Sequence, residues 1–322
     1  MSTQTREADG VFEGAGVKGI GIAGALTEFE RRGWTRWVNV AGTSAGAAVA
    51  ALLGAGFDAA ALETVLRTAP LRSFVDRGFG WGVPNLLIHH GLARGRAFRD
   101  WIDEEVGGRS FGDAAASGRT VRMIAADVSR RAILVLPEDL RAYADPATGT
   151  AYEPDHVRLA DGVRMSMSLP FVFEPVSLRH LESGRVSTIV DGGLVSNFPV
   201  WIFDSRDRDP VRPTFGFRMF GGRSVTGGLH EQLRRLAWPA AFGWDMFETA
   251  MQAWDRRFLA ESTRVRTIGI DAHGVGTLDF DLSDQRRAAL AESGRRAART
   301  FLDRFDPAAY RNAYGRTLAG AV

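Results

Sequence analysis

The sequence lacks cysteine altogether, and Lys18 is its only lysine. Without cysteine the chain can form neither disulfides nor thiolate metal sites, which suits a reducing compartment. No segment approaches the roughly 20 consecutive apolar residues that span a bilayer, and the opening MSTQTREADG has no apolar signal region. We therefore expect a cytoplasmic protein whose only membrane contact would be peripheral.

A strong charge of either sign is also missing. The 40 basic and 38 acidic residues give a formal net charge of +2, and the arginines are interspersed with the acids. No basic run is dense enough to indicate a nucleic acid partner. No cluster of histidine and carboxylate side chains indicates a cation site, so we predict no metal and no cofactor.

What the chain does contain is an ordinary globular composition. Of its 322 residues 45% are hydrophobic and 24% are charged, which is enough for a large core. Strand-like and helix-like apolar runs alternate, which predicts an α/β fold. Residues 71–95 are rich in glycine and aromatics and are predicted to form a long loop. Strands are predicted at 11–12, 37–41, 122–126, 132–136 and 187–190, and helices at 19–32, 45–53, 58–68, 98–106, 159–168, 231–260 (broken at Pro239) and 283–305.

The loop Gly14-Ala15-Gly16-Val17-Lys18-Gly19 matches the G-x-G-x-x-G pattern of dinucleotide-binding turns. Such a site also needs an acidic residue at the end of the second strand, about 20 residues further on, to bind the ribose hydroxyls. Here that strand ends Val40-Ala41-Gly42-Thr43-Ser44, without an acid. The pair Lys18-Gly19 also fails the phosphate-loop pattern, which requires Lys-Ser or Lys-Thr. A nucleotide-dependent dehydrogenase is therefore the most remote interpretation.

The stretch Gly42-Thr43-Ser44-Ala45-Gly46 matches G-x-S-x-G and lies between a predicted strand and a helix of small residues. That context is typical of a nucleophile elbow, in which the serine occupies a strained turn and the glycines leave room for the flanking backbone. The positive end of the helix dipole would also favour a developing oxyanion at Ser44. Ser44 is the candidate nucleophile, and the alternative is a glycine-rich turn with Ser44 as a helix N-cap.

A serine hydroxyl needs a base to remove its proton, and the residues leave two candidates open. Asp191 ends a predicted strand, and Gly192 and Gly193 permit a tight turn behind it. Burial could raise the pKa of this carboxyl toward neutrality, as a base requires, although Asp-Gly is also an ordinary turn pair. Among the histidines His273 is the best candidate, because it follows a strand-like run. The six histidines are His89, His90, His156, His180, His230 and His273.

Taken together, the three motifs resemble the patatin-like phospholipase family. They are the loop from Gly14 to Gly19, the serine motif from Gly42 to Gly46, and Asp191-Gly192-Gly193, in that order along the chain. An ordered triple is far more specific than any one of these patterns. Family-like sequence also surrounds them, in the stretches 164–171, 194–199 and 276–280.

The resemblance covers residues 10–305, which we take as a single hydrolase domain with terminal tails at 1–9 and 306–322. It implies a three-layer α/β/α fold around a mixed central sheet, and a Ser-Asp dyad in place of a triad. The implied activity is metal-independent cleavage of lipid or phospholipid carboxylic esters through an acyl-enzyme, with peripheral membrane contact. Ser44 carries over as nucleophile, Asp191 as general base, Gly42, Gly46, Gly192 and Gly193 as supporting glycines, and Gly14, Ala15, Gly16, Val17, Lys18 and Gly19 as the oxyanion hole.

The oxyanion loop departs from its family at one position. The family usually has Gly-Gly-Gly there, and this chain has Ala15 in the middle. If that position needs a positive φ, alanine is strained by roughly 1 kcal/mol; otherwise the position tolerates a Cβ. We expect the donors to be N–H groups around Gly16 and Val17. Lys18 takes the family's basic position, either adding positive potential near the oxyanion or a lipid phosphate, or as a solvated residue of the first helical turn.

The acyl chain of a lipid also needs a path to Ser44, and two aromatic regions could line it. One is the loop 79–88, and the other is the helical region 238–254, with Arg256 and Arg257 beside it. The second region could instead be an ordinary packed helix. Two other functions stay open: a lipid-binding protein with a weak or dead site, and a carboxylesterase or thioesterase with a Ser-His-Asp triad.

Overall fold

The computed structural model describes residues 5–74, 91–204, 211–221, 238–257, 261–277, 279 and 281–312. Its β-strands, numbered in chain order, are β1 (Arg6–Phe12), β2 (Trp34–Thr43), β3 (Gly91–Ala93), β4 (Thr120–Asp127), β5 (Ala132–Leu136), β6 (Tyr143–Ala144), β7 (Phe171–Phe173), β8 (Val176–His180), β9 (Val186–Asp191), β10 (Thr214–Phe220) and β11 (Thr267–Asp271).

Whereas the helices Phe111–Ala116 and Glu261–Arg264 were not predicted as separate helices, most predicted helices are found near their predicted bounds. Asp58 caps one of them by accepting a hydrogen bond from the Ala61 N–H at 2.8 Å, and Ser283 caps the last one. The α-helices are α1 (Gly19–Arg31), α2 (Ala45–Gly54), α3 (Ala59–Thr68), α4 (Arg96–Glu105), α5 (Phe111–Ala116), α6 (Leu159–Ser166), α7 (Trp238–Arg257), α8 (Glu261–Arg264) and α9 (Asp284–Leu302).

The central sheet is mixed, with the strand order β11-β10-β1-β2-β4-β9-β8-β6 and β5 paired to β4. The strands from β11 to β4 run parallel, whereas β9, β8, β6 and β5 pair antiparallel. Strands β3 and β7 form a separate parallel pair. The predicted mixed sheet flanked by helices is thus confirmed.

Alternate residues of the central strands face opposite sides of this sheet. Phe12 and Val40 belong to the main core, to which α1, α2, α3 and α9 contribute. Their neighbours Val11 and Ala41 belong to a second core on the other side, which the segment 198–203 covers. Residues 11–12 and 40–41 are therefore buried on both faces of the sheet.

Strand β4 sets the position of the two candidate catalytic residues. One edge of β4 pairs with β5 through residues 123–127. Its other edge pairs first with β2, up to Thr43 opposite Ile124, and then with β9, from Asp191 opposite Ala125. The carboxyl ends of β2 and β9 therefore meet end to end along one edge of β4.

The predicted terminal tails are too long at both ends. Strand β1 begins at Arg6, whose N–H donates to the Gly33 carbonyl at 2.8 Å, so residues 6–9 belong to the sheet. After residue 305 a helical turn at 307–312 brings Tyr310 into the core, where its hydroxyl accepts from the Thr214 N–H at 3.0 Å.

Two internal predictions are covered only in part. The predicted loop 71–95 contains a 3-10 turn at Leu71–Phe74 and strand β3, while its residues 75–90 lie outside the described residues. Of the predicted helical region 231–260, residues 231–237 and 258–260 also lie outside them. Pro239 occupies the first turn of α7, where its missing N–H costs no intrahelical hydrogen bond. Within the described residues, none of the helices combines the length and apolar character needed to cross a membrane.

Candidate active site

Ser44 lies in the turn between β2 and α2, with φ 54° and ψ −124°. A positive φ is strained for a residue with a side chain, and such strain is typical of functional sites. The flanking glycines make the turn possible. A Cβ at Gly42 would lie 2.1 Å from the Gly46 carbonyl oxygen, and one at Gly46 would lie 2.2 Å from the Phe12 carbonyl oxygen. The backbone on both sides of Ser44 therefore leaves no room for a side chain.

Ser166, at the end of α6, stabilises the Ser44 turn through its side-chain hydroxyl. The Ser44 N–H donates to the Ser166 hydroxyl oxygen at 2.9 Å, and this hydroxyl donates in turn to the Ile124 carbonyl at 2.6 Å. Ser166 is fully buried. Sequence reasoning assigned it no role, although it lies in the stretch 164–171 that carries part of the family resemblance.

Asp191 is fully buried at the end of β9. Its Oδ1 accepts a hydrogen bond from the Gly193 N–H at 2.7 Å, and its own N–H donates to the Ser168 carbonyl at 2.9 Å. A Cβ at Gly192 would lie 2.2 Å from the Ile124 carbonyl oxygen, so the turn against β4 requires glycine there. The second oxygen, Oδ2, has no hydrogen-bond partner among the described residues.

Burial raises the pKa of Asp191 to about 7, because the apolar surroundings penalise the carboxylate. The Gly193 N–H and the Ser44 hydroxyl act against this by favouring the ionised form. The hydroxyl is therefore close to the carboxylate, although Oδ2 and Ser44 do not reach full hydrogen-bond geometry. Long contacts of this kind are common in unliganded sites and shorten when substrate binds. A carboxyl that titrates near neutrality suits a general base.

The described histidines do not join this pair. His180 contacts Ser183, and His156 pairs with Glu153. His273 lies just beyond β11 and pairs with Asp271 at 3.6 Å. Since β11 is three strands from β2 in the sheet, His273 is separated from the serine by roughly 14 Å. The predictions for His89, His90 and His230 fall outside the described residues.

The backbone angles of the glycine loop show whether the Ala15 position requires a positive φ. Ala15 has φ −124° and is buried in the core, so its Cβ is accommodated without strain. The positive φ of 56° belongs to Gly16, whose missing Cβ leaves room for the Thr277 carbonyl. The middle residue of the loop can therefore be alanine, whereas the next one cannot.

Most N–H groups of the loop already have partners. Gly14 donates to the Asn197 carbonyl and Val17 to the Thr277 carbonyl, at 3.0 and 3.2 Å. Lys18 and Gly19 donate back into the loop, to Ala15 and Gly16. Among the described residues, the N–H groups of Ala15 and Gly16 are left without an acceptor. Val17, expected to be an oxyanion donor, instead fastens the loop to the segment before residue 278.

Replacement of Gly16 by alanine is expected to destabilise the protein by on the order of 3 kcal/mol and to impair hydrolysis. The new Cβ would lie 2.1 Å from the Thr277 carbonyl oxygen, in a backbone conformation that disfavours side chains. The matched control is Ala15→Gly, which should cost only about 1 kcal/mol through unfolded-state entropy. Thermal denaturation and ester hydrolysis measure both variants; equal behaviour of the two would contradict this loop geometry.

Lys18 is half-buried beside the loop. Burial lowers the pKa of its ammonium group, and the carboxylates of Glu13, Glu248 and Asp279 partly offset this effect. Glu13 is itself buried and accepts a hydrogen bond from the Met219 N–H at 2.6 Å. Lys18 is thus surrounded by carboxylates at the edge of the site and is more than a solvated residue of the first helical turn.

A narrow apolar cavity of about 70 Å³ begins beside Ser44, where Gly16 and Ala45 contribute to its wall. Among the described residues, its wall contains none of the α7 side chains. The loop 79–88 lies outside the described residues, and on α7 the side chains of Trp244 and Phe247 pack in a core cluster. The rest of the wall includes the side chains of Leu66, Leu71, Phe74, Phe98, Trp101 and Phe173.

Neither a metal-ligand cluster nor a second groove adds to the candidate site. Within the described part of the chain, no three histidine or carboxylate side chains come together in a group that could ligate a metal ion. A larger open groove of about 580 Å³ lies along β11 and α9, and none of the three motifs contributes to it.

Comparison with known proteins identifies the family and the fold. Residues 10–204 match the family model described as Patatin-like phospholipase. The uncharacterized protein YqhO of Bacillus subtilis (strain 168) is 35% identical over 309 residues, covering 91% of this chain and 97% of that protein.

Two solved structures share the fold. VipD from Legionella pneumophila has a TM-score of 0.56 at 16% identity, over 94% of this chain and 67% of VipD. The type III effector ExoU, known from Pseudomonas aeruginosa, has a TM-score of 0.50 at 14% identity, over 93% of this chain and 53% of ExoU. Both have a mixed sheet flanked by helices, as here. The chain belongs to the patatin-like phospholipase family and is a serine esterase or phospholipase of that type.

Proposed function

We propose that the protein hydrolyses carboxylic esters of lipids with Ser44 as nucleophile and Asp191 as general base. The observation that carries this proposal is the meeting of the two residues on β4, one in a strained turn and the other buried with a pKa near 7. A buried carboxylate without a described cation beside it is costly for the fold, and a catalytic base accounts for that cost.

In the first half of the reaction, the ionised Asp191 accepts the Ser44 proton while Ser44 Oγ attacks the ester carbonyl. The negative charge that develops on the carbonyl oxygen is stabilised by backbone N–H groups. The groups of Ala15 and Gly16 are suited to this role, since they have no acceptor among the described residues, and the N-terminus of α2 adds its dipole. The alcohol or lysophospholipid then leaves with the proton from Asp191, and the acyl group remains on Ser44.

In the second half, water attacks the acyl-enzyme and transfers a proton to Asp191. The fatty acid leaves, and Ser44 recovers its proton from the same carboxyl. A single carboxylate thus serves as base and acid in both halves. No histidine is needed as an intermediary, because Asp191 already titrates near neutrality.

The cavity beside Ser44 favours an apolar acyl chain. Its wall runs from Gly16 and Ala45 to the aromatic rings of Phe74, Phe98 and Trp101. A hydrocarbon chain gains from burial there through the loss of its hydrated surface. A short polar ester has no such gain, which supports lipids over small soluble esters as substrates.

We further propose peripheral contact with a lipid surface through α7. Phe242 and Met246 lie one turn apart on this helix, and each side chain is more than half exposed. Being neighbours on one helix face, the two side chains form a small apolar patch that a lipid surface can cover. Co-sedimentation of the inactive Ser44→Ala protein with phospholipid vesicles tests this contact; failure to bind any vesicle would end it.

A fluorophosphonate probe tests the reaction itself, because it forms a covalent bond only with an activated serine. We expect the wild-type protein to be labelled at Ser44, identified by peptide mass spectrometry, and to release fatty acid from phospholipid vesicles. Vesicle binding without labelling would favour the lipid-binding protein with a dead site. Labelling that persists in Asp191→Asn would favour a different base and a conventional triad.

A further inference from the structure

Asn197 lies six residues after Asp191 and is fastened to the glycine loop on two sides. Its backbone carbonyl accepts from the Gly14 N–H at 3.0 Å, and its side-chain Nδ2 donates to the Gly14 carbonyl at 3.2 Å. The residue is more than nine-tenths buried. Its position between the glycine loop and the Asp191 turn is therefore fixed by the backbone as well as by the amide.

These contacts also fix the direction of the amide. The Gly14 carbonyl can only accept, so the amide atom that bonds to it is the nitrogen. The amide oxygen Oδ1 is then left over, and it has no partner among the described residues. Asp191 Oδ2 is the other unpartnered acceptor in the same turn region. Buried acceptors without partners are rare in folded proteins, and two of them together call for a ligand that can donate.

The glycines of the site show how close Asn197 Oδ1 lies to the reacting groups. A Cβ placed on Gly14 would be 2.2 Å from Asn197 Oδ1 and 3.2 Å from Ser44 Cβ, so these two atoms are no more than 5.4 Å apart. A Cβ on Gly193 would be 3.0 Å from Asp191 Oδ1 and 3.2 Å from Asn197 Oδ1, so these oxygens are no more than 6.2 Å apart. The amide oxygen therefore lies near both the nucleophile and the base.

The chemistry of the acceptors limits what can bind them. An ester carbonyl or an oxyanion has no proton to donate, and an amide oxygen would repel either of them. Water has two protons, and the hydrolysis of an acyl-enzyme requires one water at this place. If one proton goes to the base, the second needs a separate acceptor, and Asn197 Oδ1 is the neutral acceptor beside it.

We propose that Asn197 Oδ1 and Asp191 Oδ2 together bind and orient the water that hydrolyses the acyl-enzyme. This inference rests on the proposed function and adds a residue specific to its second half. The water donates one hydrogen bond to Asn197 and gives its other proton to Asp191 as its oxygen bonds to the acyl carbon. The bond between the acyl carbon and Ser44 Oγ then breaks. Ser44 Oγ takes the proton from Asp191, and the free fatty acid leaves.

The test compares the two halves of the reaction in Asn197→Ala. With a p-nitrophenyl ester of a fatty acid, the initial burst of nitrophenol reports acylation and the later steady rate reports deacylation. We expect the steady rate to fall roughly 10- to 100-fold and the burst rate much less, because only the water loses its orienting contact. Intact mass spectrometry of quenched enzyme should then show most of the protein carrying the acyl group on Ser44.

Asn197→Asp is the matched variant, because it keeps an acceptor at Oδ1 while it replaces the Nδ2 donor to Gly14 by a second, anionic oxygen. Measured well above neutral pH, where both carboxyls are ionised, it should divide between acylation and deacylation much as the wild type does. This variant also serves if Asn197→Ala does not fold. An equal loss of both phases in Asn197→Ala, or acyl-enzyme accumulation in Asn197→Asp, would overturn the role in water binding. The absence of both ester hydrolysis and fluorophosphonate labelling of Ser44 in the wild-type protein would instead overturn the proposed function.

Discussion

Replacement of Ser44 by alanine is expected to lower ester hydrolysis by at least about 10⁴-fold. In the proposed mechanism the hydroxyl is the only group of Ser44 that reacts, and alanine keeps the backbone N–H that holds this turn to the Ser166 hydroxyl. Steady-state hydrolysis of a fatty acid ester and fluorophosphonate labelling measure the loss. Circular dichroism and thermal denaturation should show an unchanged fold.

Ser293→Ala is the matched control, since that serine is buried to the same degree but lies on α9, away from the site. It should retain activity. Ser44→Gly extends the comparison: it should be as inactive as Ser44→Ala but about 1 kcal/mol more stable, because glycine adopts φ 54° without strain. Full activity in Ser44→Ala would remove Ser44 from the mechanism.

Replacement of Asp191 by asparagine is expected to lower hydrolysis by roughly 10²- to 10⁴-fold, the usual contribution of a general base. The pH dependence of hydrolysis by the wild-type enzyme should follow the ionisation of the Asp191 carboxyl. Because the base works only when ionised and burial places its pKa at about 7, kcat/KM should rise with pH through about 7 and level off above it. A profile without a rise near neutrality would contradict the assignment of Asp191.

The same substitution is expected to stabilise the protein at high pH. The folded pKa of Asp191 lies above its unfolded value of 3.8, so between these values the folded state binds more protons and stability falls as pH rises. Above pH 7 the full cost is on the order of 4 kcal/mol, and Asp191→Asn should recover much of it. Denaturant unfolding at several pH values should show this gain shrinking toward pH 4.

Asp127→Asn is the control for this prediction. Asp127 is almost as buried as Asp191, but its Oδ2 accepts a hydrogen bond from the Tyr143 hydroxyl at 2.8 Å, and its Oδ1 accepts from the Arg130 N–H. Loss of a charged acceptor there should lower the free energy of unfolding while leaving hydrolysis largely intact. A gain in stability from both substitutions would point to a general effect of charge and not to the burial of a base.

The parts of the fold that sequence could predict are those whose signals are local. Helices such as α3 and α9 show caps and amphipathic patterns within one stretch, and both begin where the sequence predicts, although α9 ends three residues before the predicted Phe305. Strand β10 was missed. It is buried along most of its length, so it lacks the alternation that distinguishes a strand from other apolar segments. Its place between β1 and β11 depends on pairing over more than 200 residues and leaves no local trace.

The site divides in the same way. Ser44 and Asp191 stand in short motifs with their glycines, so the sequence was sufficient to propose them, and their roles remain predictions. Sequence could not assign a role to Ser166 or Asn197, because each acts on a partner more than 100 residues away. Nor could it show that Val17 is already engaged by Thr277.

The end-to-end meeting of β2 and β9 on β4 has a consequence for how the enzyme can vary. The spacing of the reacting pair is set by one peptide unit, between Ile124 and Ala125, and not by the chain that connects them. Within the excursion from residue 128 to residue 185, Ser166 contacts the Ser44 turn and Ser168 contacts Asp191, so these two positions are constrained. Segments away from them, such as 145–156, can lengthen, shorten or change sequence without altering the distance between Ser44 and Asp191.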